Sequence, residues 1–206
     1  MKTADVIIVG SGAAGLFNAL FLPQDYKVIV ITKKTVEESD SFLAQGGISA
    51  LKNPEDYDSY FEDTMKAGHY ENDKGAVEKM IKESPQIIQD LKDFGVRFDL
   101  KDGEIEFTRE GGHSTFRILH HEDLTGKEIT SHLYEEAKKR DNITIMENCM
   151  MIDIIEKDGE CKGIVYKDQD GNFDTIEAPY TVLATGGLGG LFKHSTNFRH
   201  LTADSL

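Results

Sequence analysis

Three stretches of this sequence bring together residue types that could do chemistry. Gly10-Ser11-Gly12-Ala13-Ala14-Gly15 has the spacing of a turn that cradles a phosphate. Gly10 would permit the tight turn, Gly12 would let the backbone approach a pyrophosphate, and Gly15 would let the following helix pack on the preceding strand. The helix N-terminus would add unpaired N–H groups and a positive dipole end. Ser41-Phe42-Leu43-Ala44-Gln45-Gly46-Gly47 combines small side chains with one amide. It suits backbone and Gln45 contacts to a flat heterocycle and its phosphate linker, and equally suits a glycine-containing surface loop. Arg109, Glu110, His113, Arg117 and His120 form the densest group of ionisable residues in a stretch without periodicity. They are either a charged site or solvated loop charges.

The elements that must position these residues follow from patterning. Asp5–Val9 is a short β-branched run, Ala13–Leu22 suits a helix, and Tyr26–Thr32 is apolar almost throughout, as a parallel strand covered on both faces should be. The glycine motif therefore sits between a strand and a helix, the context a dinucleotide fingerprint requires. The acidic residue that often ends the second strand and binds a ribose hydroxyl is replaced by Thr32-Lys33, and Lys33 would face either ribose and phosphate or solvent. Residues 33 to 55 read as loop. Helices are expected over 56–66, closed by Gly68, over 73–83, and from Ser84-Pro85 to Gly95, with Ser84 as N-cap and Pro85 in the first turn. Thr125-Gly-Lys-Glu128 fits a capping box for a helix running to about Arg140. Five strands follow from Ile143, with Asp158-Gly159 and Asp170-Gly171 as turns, giving a small antiparallel meander beside the parallel sheet.

The 206 residues carry 23 Lys plus Arg against 37 Asp plus Glu, a net charge of −14 that disfavours nonspecific binding to nucleic acid or anionic membrane. No apolar run approaches the ~20 residues that span a bilayer, and the N-terminus lacks a basic stretch followed by an apolar one, so a cytoplasmic protein is expected. Cys149 and Cys161 are far apart without CxxC spacing and read as reduced packing residues, with no metal site. After Thr185-Gly186-Gly187 the chain runs through polar residues to Leu206 without a terminal helix or capping signal, and reads as a truncated end.

Taken in order, Gly10–Gly15, Ser41–Ala50, Thr108–Ser114, Arg117–His120 with Asp123–Gly126, and Val182–Gly187 resemble the flavoprotein family of L-aspartate oxidases, succinate dehydrogenases and fumarate reductases. The resemblance implies an α/β fold: a Rossmann-like FAD-binding domain with a parallel sheet, a small antiparallel β-meander and an inserted helical region. Residues 1–206 would be its N-terminal portion. Members continue into a capping domain, a return to the FAD domain and a helical C-terminal domain, so a C-terminal partner segment is expected. The implied cofactor is FAD, held by Gly10–Gly15, Lys33, Asp40–Gly47, Thr185, Gly186 and Asp204. At the Thr196–Ser205 end the usual Asn-Pro and Gly-Asp-Gly are replaced, and of the latter only Asp204 matches.

Two positions separate the subtypes. Asp40 stands where the respiratory enzymes carry a histidine bonded to flavin, which implies noncovalent FAD. Glu110 within Arg109-Glu-Gly-Gly-His-Ser114 is similar to the aspartate oxidases, and a carboxylate there would meet the ammonium that distinguishes aspartate from succinate. The implied reaction is oxidation of L-aspartate to iminoaspartate, in the quinolinate route to NAD, with oxygen or fumarate as electron acceptor. Glu110 and His113 would be this half's catalytic contribution; the main base and carboxylate-binding residues would lie beyond Leu206. The 206-residue chain is therefore expected to be inactive by itself. A soluble fumarate reductase or succinate dehydrogenase, and a noncatalytic flavin-binding module needing a partner, are the alternatives.

Overall fold

The computed structural model describes residues 1–205. They divide into two compact units, one made of residues 1–44 with those from 129 onward, the other of residues 45–128. In chain order, the first unit begins with β1 (Lys2–Thr3), β2 (Val6–Val9), α1 (Ala13–Phe21), β3 (Val28–Ile31) and the single turn α2 (Asp40–Leu43). The second holds β4 (Ile48–Ser49), α3 (Tyr57–Ala67), α4 (Lys74–Asp93), β5 (Leu100–Lys101), β6 (Glu104–Ile105), β7 (Phe107–Thr108) and β8 (Ile118–Leu119). Helix α5 (Thr125–Lys138) leads back to the first unit and to β9 (Ile143–Met146), β10 (Met150–Lys157), β11 (Glu160–Lys167), β12 (Phe173–Glu177) and β13 (Tyr180–Leu183).

The first unit is built on a parallel sheet of order β13-β2-β3-β9. Its two central strands, Val-Ile-Ile-Val and Val-Ile-Val-Ile, are buried at every residue. The period of two sends Ile7, Val9, Ile29 and Ile31 to one face, where Met151, Ile164, Tyr166 and Ile176 cover them. Val6, Ile8, Val28 and Val30 point to the other, against Ala19 of α1. Burying each such side chain contributes about 1.5–3 kcal/mol, so an apolar run with no polar alternation is what a doubly covered strand demands.

The covering layer is the expected meander, β10-β11-β12, extended by β1 running parallel to β12. Asp158 and Gly159 both take positive φ, 57° and 79°, the geometry of a type I′ hairpin turn. Of the five strands read after residue 143, the first and last leave the meander and pair in parallel with β3 and β2.

Three expectations are corrected. The two helices anticipated on either side of Ser84 are one continuous helix, α4, with Pro85 inside it. A proline at 85 cannot donate to the Ile81 carbonyl, but the Ser84 hydroxyl donates to it instead at 2.7 Å, and itself accepts from Leu51 N–H at 2.8 Å. Ser84→Ala strands both groups in a buried setting and is expected to lower stability by about 1–3 kcal/mol in urea unfolding; a loss under about 0.5 kcal/mol removes this explanation of the unbroken helix. The capping box at Thr125 does not form, because Thr125 Oγ accepts from His121 N–H while the Glu128 carboxylate accepts from Arg97 N–H. Residues 33 to 55 are not all loop, since a 3-10 turn at Val36–Glu38, α2, β4 and a second 3-10 turn at Pro54–Asp56 lie within them.

In the second unit α3 and α4 pack through Tyr60, Met65, Val77 and Ile81. Among the described residues no helix is long and apolar enough to cross a membrane, and no group of three or more His, Cys, Asp or Glu is placed to hold a metal. Cys149 is buried and Cys161 half-buried, and both are free thiols.

Candidate functional site

In the first unit the glycine motif occupies the turn between β2 and α1, and its Gly10, Ser11, Gly12 and Ala14, but not Ala13 or Gly15, line a cavity of about 540 Å³. Gly10 has φ +114°, and a Cβ there would stand 2.1 Å from Ala184 O; a Cβ on Gly15 would stand 2.0 Å from Gly10 O. Both positions therefore admit only glycine, for the reasons the spacing suggests. Gly12 caps α1 without a side chain, so the first turn's N–H groups face outward except that of Ala13, which donates to Ser41 Oγ at 3.0 Å. Ser11 Oγ is buried with no hydrogen-bond partner among the described residues. A glycine cradle, a free helix N-terminus and an orphaned hydroxyl fit the pyrophosphate of FAD.

The same cavity gathers Thr32, Lys33, Asp40, Ser41, Thr185, Gly186 and Asp204, and the sequence reading missed Glu38, Cys149, Met151, Asn197 and His200 on its wall. No local signal marks those five; they arrive from separate segments through the fold. Lys33 does not face open space: its ammonium pairs with Asp204 at 2.7 Å and donates to Thr202 Oγ1 at 2.9 Å. Burial opposes ionisation of Asp204, and the Lys33 and Thr202 bonds outweigh it, holding the carboxyl below its ordinary range. His200 Nε2–H donates to Glu38 O at 2.9 Å, and Asp40 Oδ1 accepts from Phe198 N–H at 3.1 Å. Phe42 and Leu43 lie on α2, Leu43 exposed, and with Ala44 stand outside the cavity lining.

In the second unit Gln45, Gly46 and Gly47 share a cavity of about 560 Å³ with Thr108, Glu110 and His120. The Glu110 carboxylate lies close over Gly46, 3.2 Å from where a Cβ would be. His113 lines a neighbouring cavity that shares Gly47, with Tyr60, Asp63, Met80 and Ile88, and its N–H donates to Glu110 O at 3.2 Å. Arg117, far from being a solvated charge, is fully buried. Its five N–H groups are all spoken for: Nε and Nη2 on the two oxygens of Asp56 at 2.9 and 2.8 Å, Nη2 on Ser59 Oγ at 2.7 Å, Nη1 on Asp63 at 2.6 Å and on His113 Nδ1 at 3.5 Å. Asp63 also accepts from Ser114 N–H and Oγ–H, and Asp56 from Thr115 Oγ1. The loop that carries Glu110 and His113 is thus anchored to α3 by a buried ion cluster. Arg109 is exposed and stacks its guanidinium 5.6 Å from the Phe116 ring.

The family model described as FAD binding domain matches residues 5–206. The chain belongs to this FAD-binding family. FAD is its cofactor, and the cradle around Gly10–Gly15 is where the fit is found. Among curated members, L-aspartate oxidase of Clostridium perfringens is 45% identical over 205 residues, covering 100% of this chain and 46% of that protein. The L-aspartate oxidase of Clostridium acetobutylicum is 46% identical over 203 residues, covering 98% and 46%. The chain thus spans a little under half of these relatives. Among solved structures of FAD-binding relatives, the Mycobacterium smegmatis Sdh1 complex superposes with a TM-score of 0.89 at 32% identity, covering 98% of this chain and 37% of that one. A quinol-fumarate reductase of E. coli gives 0.91 at 27%, covering 98% and 36%.

Proposed function

We propose that this chain is the cofactor-binding part of an FAD-dependent enzyme that oxidises L-aspartate to iminoaspartate, a step toward quinolinate and NAD. The observation that carries the reading is the Glu110 carboxylate, which lines the cavity of Gln45 and Gly46 where an α-ammonium group would need an anion. Its relatives named L-aspartate oxidase support the same substrate. FAD, when bound, supplies the two-electron acceptor. Gly10, Gly12 and the α1 N-terminus would hold the pyrophosphate without covalent attachment, Gln45 and the Gly46-Gly47 backbone would meet the ring, and Glu110 would orient the amine. The resemblance puts the carboxylate-binding residues and the main base beyond position 206, so the 206-residue chain alone is expected to show no appreciable turnover.

The first test is the visible spectrum of the purified chain after addition of FAD, followed by acid precipitation. A flavin band that copurifies and leaves with acid is the expected result; flavin that stays on the precipitated protein contradicts noncovalent binding. The second test is Glu110→Gln in the protein extended by the segments the resemblance places beyond position 206. Losing a charged partner of the ammonium costs about 1.5–3 kcal/mol, so L-aspartate binding or oxidation should fall about 10- to 100-fold while succinate is little affected. Equal losses for the two would favour the second reading, a fumarate reductase-like dicarboxylate enzyme, which the likeness to quinol-fumarate reductase supports.

A further inference from the structure

The Glu110 cavity contains a second group that no part of the reading above uses. His120 lines it, and the Nε2 of that imidazole is buried with no hydrogen-bond partner among the described residues. Its other nitrogen, Nδ1, lies 3.2 Å from Asp99 Oδ2. The pair is fixed through the backbone as well, since Asp99 N–H donates to His120 O at 2.9 Å and Asp99 Oδ2 accepts from Glu122 N–H at 2.8 Å. On its other oxygen Asp99 faces His121 Nδ1 at 3.3 Å, and His121 in turn faces Glu128.

An ionised carboxylate can only accept, so a hydrogen bond across the 3.2 Å Asp99 contact would put the His120 proton on Nδ1. Nε2 then carries a bare lone pair. A buried acceptor without a partner costs about 1–3 kcal/mol, and such a group beside a ligand cavity calls for a partner that arrives with the ligand. The cavity offers that ligand acceptors at Glu110, Glu122 and Asp123, which suits a cation and not a carboxylate. Resting on the reading of Glu110 as the ammonium partner, we propose that His120, oriented by Asp99, is the proton acceptor for the substrate's ammonium group. The step breaks one N–H bond of the ammonium and forms the Nε2–H bond of His120, and the electron pair stays on the substrate nitrogen. Only with that lone pair free can the nitrogen form a double bond to Cα when the carbon is oxidised. Glu110 would hold the charge in place and His120 would remove it. A substrate without the amine has no such proton to give.

The test is a long-range ¹H–¹⁵N spectrum of the ¹⁵N-histidine-labelled protein extended by the segments the resemblance places beyond position 206, with FAD kept reduced under anaerobic conditions so that bound L-aspartate is not consumed, and with His120 assigned by the signals lost in His120→Gln. The expected ligand-free state is Nδ1–H with bare Nε2, the less common form of a free imidazole, and Asp99→Asn should return it to Nε2–H. Adding L-aspartate should then move Nε2 to the protonated range, and succinate should not. An Nε2–H tautomer in the wild-type chain overturns the proposal whether or not Asp99→Asn folds, as does a His120 response that is absent or common to both ligands. If His120 fails while Glu110→Gln still selectively loses L-aspartate binding, the ammonium site stands and only the proton acceptor falls. If Glu110→Gln makes no distinction between the ligands, the substrate reading falls as well.

Discussion

Gly10→Ala is expected to cost the chain about 2–4 kcal/mol and its FAD together. The added methyl at φ +114° would stand 2.1 Å from Ala184 O and 2.7 Å from Ala184 C, backbone atoms at the end of β13 that cannot move without unpairing the parallel sheet. Backbone strain and overpacking contribute about 1–3 kcal/mol each, and here they act at one site. The same turn lines the cavity proposed for the cofactor, so relief of the clash by a shift of Gly10–Gly12 displaces the N–H groups that would meet the pyrophosphate. The measurement is a urea midpoint paired with flavin retention on gel filtration. Gly111→Ala is the matched control, because no atom lies within 4 Å of a Cβ there and its φ is ordinary. If Gly10→Ala keeps both the midpoint and the flavin of the wild type, the cradle is not where FAD binds.

Arg117→Met is expected to lower stability by about 3–5 kcal/mol, since it leaves Asp56 and Asp63 facing each other's buried surroundings without their cation. Arg117→Lys should recover part of this, because an ammonium replaces the charge but not the two-pronged grip on Asp56. The cluster also sets an acid limit. Burial by itself would raise the Asp56 pKa; the bonds from Arg117, Ser59 and Thr115 outweigh burial and bring it from 3.8 to about 2. Asp63 is lowered as well, against burial, by Ser114 and Arg117. A depressed carboxyl binds fewer protons folded than unfolded, so the stabilisation is present above about pH 4 and drains away as the pH falls toward 2. For Asp56, 8% exposed, it amounts to about 2 kcal/mol. Urea midpoints at pH 7 and pH 3 should diverge more for the wild type than for Asp56→Asn; parallel declines would remove Asp56 from the acid response.

What was legible in the sequence was whatever depends on neighbours in the chain. The strands β2 and β3, the glycine turn and the Asp158-Gly159 hairpin were each readable because period, φ and turn chemistry are local. The break anticipated at Pro85 was not, because what keeps α4 whole is a hydroxyl serving the one carbonyl the proline abandons, with Leu51 completing the arrangement from a distant segment. Arg117 looked like loop charge because its partners Asp56 and Asp63 sit on and beside a helix some sixty positions earlier. The same holds in the candidate site: Glu110 stands out by its string, whereas the significance of His120 depends on Asp99, which becomes its neighbour only when the residue before β5 pairs with the residue after β8, Asp99 N–H on His120 O. Glu110 and His113, by contrast, are held by a local four-residue turn, closed by His113 N–H on Glu110 O, that presents them to two cavities sharing Gly47.

The parallel sheet order β13-β2-β3-β9 has a kinetic consequence. Val9 reaches one neighbour, Ile31, almost at once, but its other, Leu183, only about 150 residues later. At a synthesis rate of about 5–20 residues per second, one edge of β2 waits on the order of ten seconds or more for its partner. During that interval Val-Ile-Ile-Val offers unpaired amides and apolar side chains to any other chain nearby. The segment from Gln45 to Glu128, whose pairings are all internal, can be complete before then. Yield on expression should therefore depend more on temperature and chaperone supply than the final stability of the protein would suggest.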